Sequence, residues 1–185
     1  MEVSCNVICT LHYLLSDGLV EPSEAGKVRK YGVRIGGSTY IPFENPRKLE
    51  QQLEKIARRA ALIKDPYEQS IFLLVHISYL QAFTDVNKRT ARLSANIPLI
   101  QGNLVPLAFN DVRVEDYMSA MIAVYELQDM RPLVDLYVFE DLEQMDENRL
   151  AGLGVIPAQL TEWRRLKRQT RNCLSPFLFF YSNYF

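Results

Sequence analysis

The stretch Gln81-Ala82-Phe83-Thr84-Asp85-Val86-Asn87-Lys88-Arg89-Thr90-Ala91-Arg92 gathers the residues of this sequence best suited to chemistry. It follows a nearly apolar run, Ile71 to Leu80, and leads into a segment that reads as helix up to Gly102. The first N–H groups of a helix have no internal partners and carry partial positive charge, so they favour phosphate. Lys88, Arg89 and Arg92 add three cations within the first turn and a half, where the macrodipole disfavours them unless an anion offsets the charge. Arg89 and Arg92 are three apart and share a face. Asp85 is a hard oxygen ligand of the kind that holds Mg²⁺ between phosphates. The plainer alternative is a solvated basic turn with Asp85 as an ordinary cap. Taken alone, the residues favour that alternative.

Helices must position this stretch. Asn6 to Leu15 carries Val7, Ile8, Leu11, Leu14 and Leu15 at helical spacing, and Gly18 supplies a stop. Asn45-Pro46 is a cap followed by proline at the first helical position. Leu49, Leu53, Ile56, Ala60 and Ile63 then recur at steps of four and three, which predicts an amphipathic surface helix. Asp65-Pro66-Tyr67-Glu68 repeats the start signal, with an acid at the third helical position. Ser70 to Leu80 is apolar all round and predicts a central, buried helix, in which His76 is an ordinary core histidine. Further helices are expected over Asn87 to Gln101 (disturbed by Pro98), Val114 to Leu127, and Pro132 to about Asn148. Gly36-Gly37 between Val33-Arg34-Ile35 and Ser38-Thr39-Tyr40-Ile41 predicts the chain's one β-hairpin, with Pro42 halting its second strand. The expected fold is all-α, a bundle around a buried helix–loop–helix, with this hairpin as its flap.

Composition narrows the classes. The 185 residues are 48% hydrophobic and 23% charged with a net charge of −1, an ordinary globular balance without a global basic field. No nucleic-acid partner is therefore expected. No membrane association is expected either, since the longest apolar stretch is too short to span a bilayer. Glu2 and the absence of a basic start argue against a secretory leader, and the odd count of three cysteines suits a reducing compartment. A cytoplasmic location follows as the expectation. His12 and His76 are too few and too scattered for a histidine-based zinc site. Cys5 and Cys9 read as small core residues. One domain over 1–150 and a tail over 151–185 are expected. Within that tail, the basic run around Arg164 to Arg171 reads as a solvated face, and the aromatic end from Pro176 should dock on the domain or a partner.

The loop stretch resembles the signature of the Fic/Doc (Fido) family, His-x-Phe-x-Asp/Glu-Gly-Asn-Gly-Arg-x-x-Arg. Phe83, Asp85, Asn87, Arg89 and Arg92 match it in register, and Lys88 is similar to the Doc-like branch. Ala25-Gly26-Lys27-Val28-Arg29 resembles the family's Ala-Gly-x-x-Arg lead, and Val33 to Pro42 its flap. Asp116-Tyr117 and Pro132-Leu133-Val134 sit where family members carry their later helices. The resemblance spans about residues 8 to 145. It implies a helical fold that binds a nucleotide and transfers AMP from ATP to a hydroxyl on a target protein (AMPylation, a nucleotidyltransferase reaction). Carried over by position, Asp85 would hold Mg²⁺, and Asn87, Lys88, Arg89 and Arg92 would contact phosphates. Ile35, Gly36, Gly37, Ser38 and Thr39 would dock the protein target by strand addition.

The departures bear on activity. Gln81 stands where the family has its catalytic histidine, and an amide cannot act as a base near neutral pH. Loss of such a base typically slows a reaction about 100- to 10,000-fold. His76 lies five residues earlier, about 140° away on a helix, and is a poor substitute. Val86 and Lys88 replace two glycines, which restricts positive-φ backbone there. No inhibitory Ser/Thr-x-x-x-Glu-Gly/Asn motif is found; Glu143-x-x-x-Glu147-Asn148 lacks the hydroxyl. The sequence thus points to a nucleotide- and Mg²⁺-binding pseudoenzyme whose transfer is lost, weak or altered. The alternatives are a non-catalytic interaction module on the same scaffold, Doc-like phosphate transfer, or a transferase using another base.

Overall fold

The computed structural model describes residues 2–104, 106–107 and 112–143. Helix α1, Cys5–Leu15, starts at Ser4, whose hydroxyl accepts from the Val7 N–H at 3.3 Å. Helix α2, Pro46–Ala60, and helix α3, Pro66–Leu80, both start with proline in the first turn. Asn45 caps α2 through Lys48 N–H, and Asp65 caps α3 through the N–H groups of Tyr67 and Glu68. These caps lie where the sequence predicts them, because they depend only on residues within one turn. Helix α4 is Asn87–Gln101, α5 is Val114–Ile122 and α6 is Arg131–Glu143, with a π-helical turn at Ala123–Leu127. Pro98 lies inside α4 without ending it.

Two compact units are present. One is Met1–Leu107 with Met121–Asp129; the other contains, among described residues, 112–120 and 130–143. In the first unit α3 and α4 pack on each other, and α1 and α2 pack against this pair. Leu73, Leu74 and Ile77 of α3 and Ala91 and Ala95 of α4 are fully buried. Each large aliphatic side chain so buried contributes roughly 1.5–3 kcal/mol. Leu49, Leu53, Ile56, Ala57 and Ala60 form the buried stripe of α2, as its periodicity predicts, while Ile63 falls beyond the helix end. In the second unit Arg113 pairs with Glu115 and Asp116 at the start of α5, and Leu133 and Val134 of α6 are buried.

The predicted β-hairpin does not form. No strand occurs among the described residues. Ser38 N–H donates to Ile35 O at 3.2 Å, closing a turn at Gly36-Gly37. Only Gly37 has positive φ, at +78°. The tight hairpin turns need positive φ at the first central residue, here Gly36. With it only at the second, the arms diverge instead of pairing. The downstream arm finds a partner elsewhere: Glu126 Oε1 accepts from Thr39 N–H at 2.7 Å and from Ser38 Oγ at 3.0 Å. The boundary expected near residue 150, the end of the last helix at Asn148, the Glu147-Asn148 pair, the basic run and the aromatic tail lie outside the described residues.

Candidate functional site

The loop between α3 and α4 is held from several sides. Phe83 N–H donates to Asn87 Oδ1 at 2.9 Å, and Asn87 Nδ2 donates back to Phe83 O at 2.8 Å. Asn87 is buried, and both ends of its amide close the loop on itself. The Phe83 ring is fully buried and stacks on His12 of α1, with centroids 3.9 Å apart and planes within 9°. Gly26 N–H donates to His12 Nδ1 at 2.9 Å. The ring proton must then sit on Nε2, which donates to Asp85 O at 3.2 Å. Burial holds this imidazole below its ordinary pKa, partly opposed by the Asp85 carbonyl. Gly26 can make this contact because it has no side chain: a Cβ there would meet Cys9 O and Tyr13 Cβ at 3.0 Å.

Arg29 supports the same loop. Its side chain is only 2% exposed. Nε donates to Gln81 O at 2.7 Å, the two terminal nitrogens donate to the carbonyls of Tyr31 and Phe43, and its backbone N–H donates to Ala82 O. The resemblance to an Ala-Gly-x-x-Arg lead thus has a physical content. Gly26 and Arg29 are two struts beneath the signature loop.

Gln81 ends α3 in the left-handed region, at φ 51°. Its Nε2 donates to Ser78 O at 2.6 Å and lies 3.3 Å from Tyr125 Oη, which itself donates to Ser78 O. The carbonyl neighbour identifies this atom as nitrogen. The amide nitrogen is therefore anchored inward. Val86, at the N-cap of α4, adopts φ 60° and ψ 10° although it is β-branched. The loop thus holds a left-handed backbone at a non-glycine residue, a conformation that costs of order 1–3 kcal/mol. Val86 also has no side-chain oxygen for the first-turn N–H groups of α4.

These residues rim a cavity of about 370 Å³, within the range of small-ligand sites. Asp85, Lys88, Arg89 and Arg92 line it together, joined by Gln81, Asn87, Ile35 and Gly36. Asp85 is exposed, and one of its oxygens accepts from Val86 N–H at 2.6 Å. Burial, and then the neighbouring Arg92, pull the Lys88 pKa down. Of the predicted docking residues, Ile35 and Gly36 reach this cavity, whereas Ser38 and Thr39 are bound to Glu126. His76 lies apart, its Nδ1 on Phe72 O at 2.8 Å, and burial pushes its pKa down to about 3. Among the described residues no three His, Cys, Asp or Glu side chains gather to hold a metal, and no helix is long and apolar enough to cross a membrane.

The Fic/DOC family model matches residues 2–99, more than half of the sequence. The chain belongs to the Fic/DOC family. It is 30% identical to the protein adenylyltransferase fic-1 of Caenorhabditis briggsae over 135 residues, and 30% identical to that of Caenorhabditis elegans over 138. Each alignment covers 72% of this chain but 26% of the relative, so the chain spans about a quarter of their length. Among solved structures, Fic-1 (residues 134–508) from C. elegans superposes with a TM-score of 0.59 at 26% identity, covering 72% of this chain and 39% of that one. The type IV secretion system effector protein BepA shares the fold, at TM-score 0.59 and 18% identity, over 93% of this chain and 59% of that one. The helical Fic fold is thus established for this chain.

His12, Tyr125 and Glu126 escape the sequence reading. For His12 a signal existed: it stands four residues after Ile8 on the buried face of α1, where a polar ring needs partners. Nothing local marks Tyr125 or Glu126, because both meet their partners across more than forty positions of sequence.

Proposed function

We propose that this chain is a nucleotide-binding Fic domain whose AMP transfer to protein hydroxyls is lost or slow. One observation carries the reading: Asp85, Lys88, Arg89 and Arg92 converge on a single cavity beside an inward-anchored Gln81. Three cations facing one carboxylate suit a polyphosphate, and an α4 start without a side-chain cap suits it further. Asn87 serves the site through shape, since its amide holds Phe83. Asp85 fits Mg²⁺, which commonly takes one or two carboxylates and completes its shell with phosphates and water. Bound there, the ion would neutralise phosphate charge. Gln81 can orient a hydroxyl but has no proton affinity with which to activate it. A protein target would approach along the turn segment from Arg34 to Tyr40.

Calorimetric titration with ATP, with and without Mg²⁺, tests this reading. Binding should strengthen with Mg²⁺, weaken by about 1.5–3 kcal/mol in Arg89→Ala, and lose its metal dependence in Asp85→Ala. Flat titrations across the common nucleotides would favour an interaction module instead. With nucleotide labelled on the α-phosphate, the unaltered chain should label little. Gln81→His should label more, increasingly so as pH rises and the imidazole loses its proton. Robust labelling by the unaltered chain would refute the assignment of Gln81 as the defect.

A further inference from the structure

The signature is not the whole of the cavity wall. Val33, Arg34, Ile35 and Gly36 of the turn segment, about fifty positions before the first turn of α4, line the same cavity. We infer that Arg34 is a further anion-recognising side chain of this cavity, and that it makes the site discriminate ligands by the length of their phosphate chain. The inference rests on the nucleotide reading above and deepens it.

Three observations support it. First, among the described residues the cavity wall carries Arg34, Lys88, Arg89 and Arg92 together with one carboxylate, Asp85. Four cations around about 370 Å³ repel one another, and the arrangement is relieved by a ligand carrying several negative charges. A di- or triphosphate carries more charge over a greater length than a single phosphate, so it can engage cations on both the α4 start and the turn segment at once. Second, Arg34 makes no ion pair or side-chain hydrogen bond among the described residues, and it is exposed. Its guanidinium is a planar fork suited to paired phosphate oxygens. Third, its backbone is anchored on the side toward the turn. Ile35 is buried at 7% exposure, Ser38 N–H closes the turn on Ile35 O, and Glu126 holds Ser38 and Thr39. An anchored arm presents Arg34 to the cavity at less ordering cost than a loose loop would.

The recognition is thus split between two elements distant in sequence. The α4 start supplies the phosphate site nearest the signature, and the arm reaches a more distal phosphate. AMP should be nearly indifferent to Arg34, while ATP should feel it strongly.

Titrations of ATP, ADP, AMP and inorganic tripolyphosphate into the unaltered chain, Arg34→Met and Arg34→Lys decide the matter. Arg34→Met should weaken ATP and tripolyphosphate about tenfold, near the low end for hydrogen bonds to a charged group because the side chain is exposed. AMP should change less than about twofold, and Arg34→Lys should recover part of the loss, since an ammonium keeps the charge without the fork. Thermal melting of the variants should match the parent, Arg34 being unpaired and exposed. Equal weakening of all nucleotides, or none, in Arg34→Met would overturn the inference while leaving the nucleotide reading intact, provided that Arg89→Ala still weakens binding. If the unaltered chain binds none of the four probes, the nucleotide reading fails and the role of Arg34 fails with it.

Discussion

Replacing Arg29 by methionine should uncouple the signature loop from the rest of the domain. Methionine fills similar space without donors, so the change isolates the hydrogen bonds. The guanidinium serves three carbonyls, those of Gln81, Tyr31 and Phe43. Gln81 is buried, Phe43 is half-buried and Tyr31 is exposed. The hydrogen bond to the Gln81 carbonyl is buried, whereas those to Tyr31 and Phe43 are part-buried and their carbonyls can recover solvent in part. A buried acceptor left unpaired costs about 1–3 kcal/mol, and hydrogen bonds to a charged donor contribute about 1.5–3 kcal/mol each. Against this, methionine avoids the cost of burying a cation, which amounts to several kcal/mol. The loss of three charged bonds outweighs that relief, leaving a net destabilisation of about 3 kcal/mol. In a protein of this size that corresponds to a fall in melting temperature of about 6–12 °C.

Calorimetric or circular-dichroism melting reads the global effect. Amide hydrogen exchange at Phe83 and Val86 reads the local one, since both N–H groups are bonded within the loop that Arg29 braces. Both amides should exchange faster in Arg29→Met, while amides of α2 should change only by the global loss. Arg29→Lys should recover less than half, because an ammonium cannot span three divergent carbonyls. A melting temperature within about 2 °C of the parent, with unchanged exchange in the loop, would refute the assignment of Arg29 as a strut.

Two further outcomes follow from the backbone and the imidazoles. Val86→Gly should lie within about 1 kcal/mol of the parent, because removal of a left-handed penalty of about 1–3 kcal/mol offsets the lost burial; Leu73→Ala, with no such relief, should cost about 2–5 kcal/mol. Urea unfolding compares them, and an equal loss in both would show that Val86 stores no strain. Burial lowers the folded-state pKa of both histidines, His76 to about 3, so the unfolded chain takes up protons first as pH falls. Stability should be full above about pH 6.5 and decline from there toward pH 3, with His76 alone accounting for about 2 kcal/mol between pH 7 and pH 5. A melting temperature that holds or rises on acidification to pH 5 would contradict this.

Local chemistry settled much of this protein before any tertiary contact. Helix starts at Asn45 and Asp65, the buried stripe of α2 and the apolar α3 are set by caps and periodicity within a few residues. The signature stretch was legible for the same reason: its residues are adjacent in sequence, so their order alone carries the resemblance. That Gln81 offers an amide and no basic nitrogen is likewise a matter of residue type.

What tertiary structure decided concerns partners distant in sequence and backbone that local preference opposes. Gly36-Gly37 favours a hairpin locally, yet the arm from Ser38 bonds to Glu126, and a carboxylate 87 residues away replaces a neighbouring strand. Val86 opposes positive φ, yet the loop imposes it, because Phe83 is held by His12 on one side and by Asn87 on the other. The anchoring of Gln81 by Tyr125 and the arrival of Arg34 at the cavity have the same origin. Sequence determines which hydrogen-bonding groups and charges exist; only packing brings together those far apart in the chain, and burial then leaves them no water to bond instead.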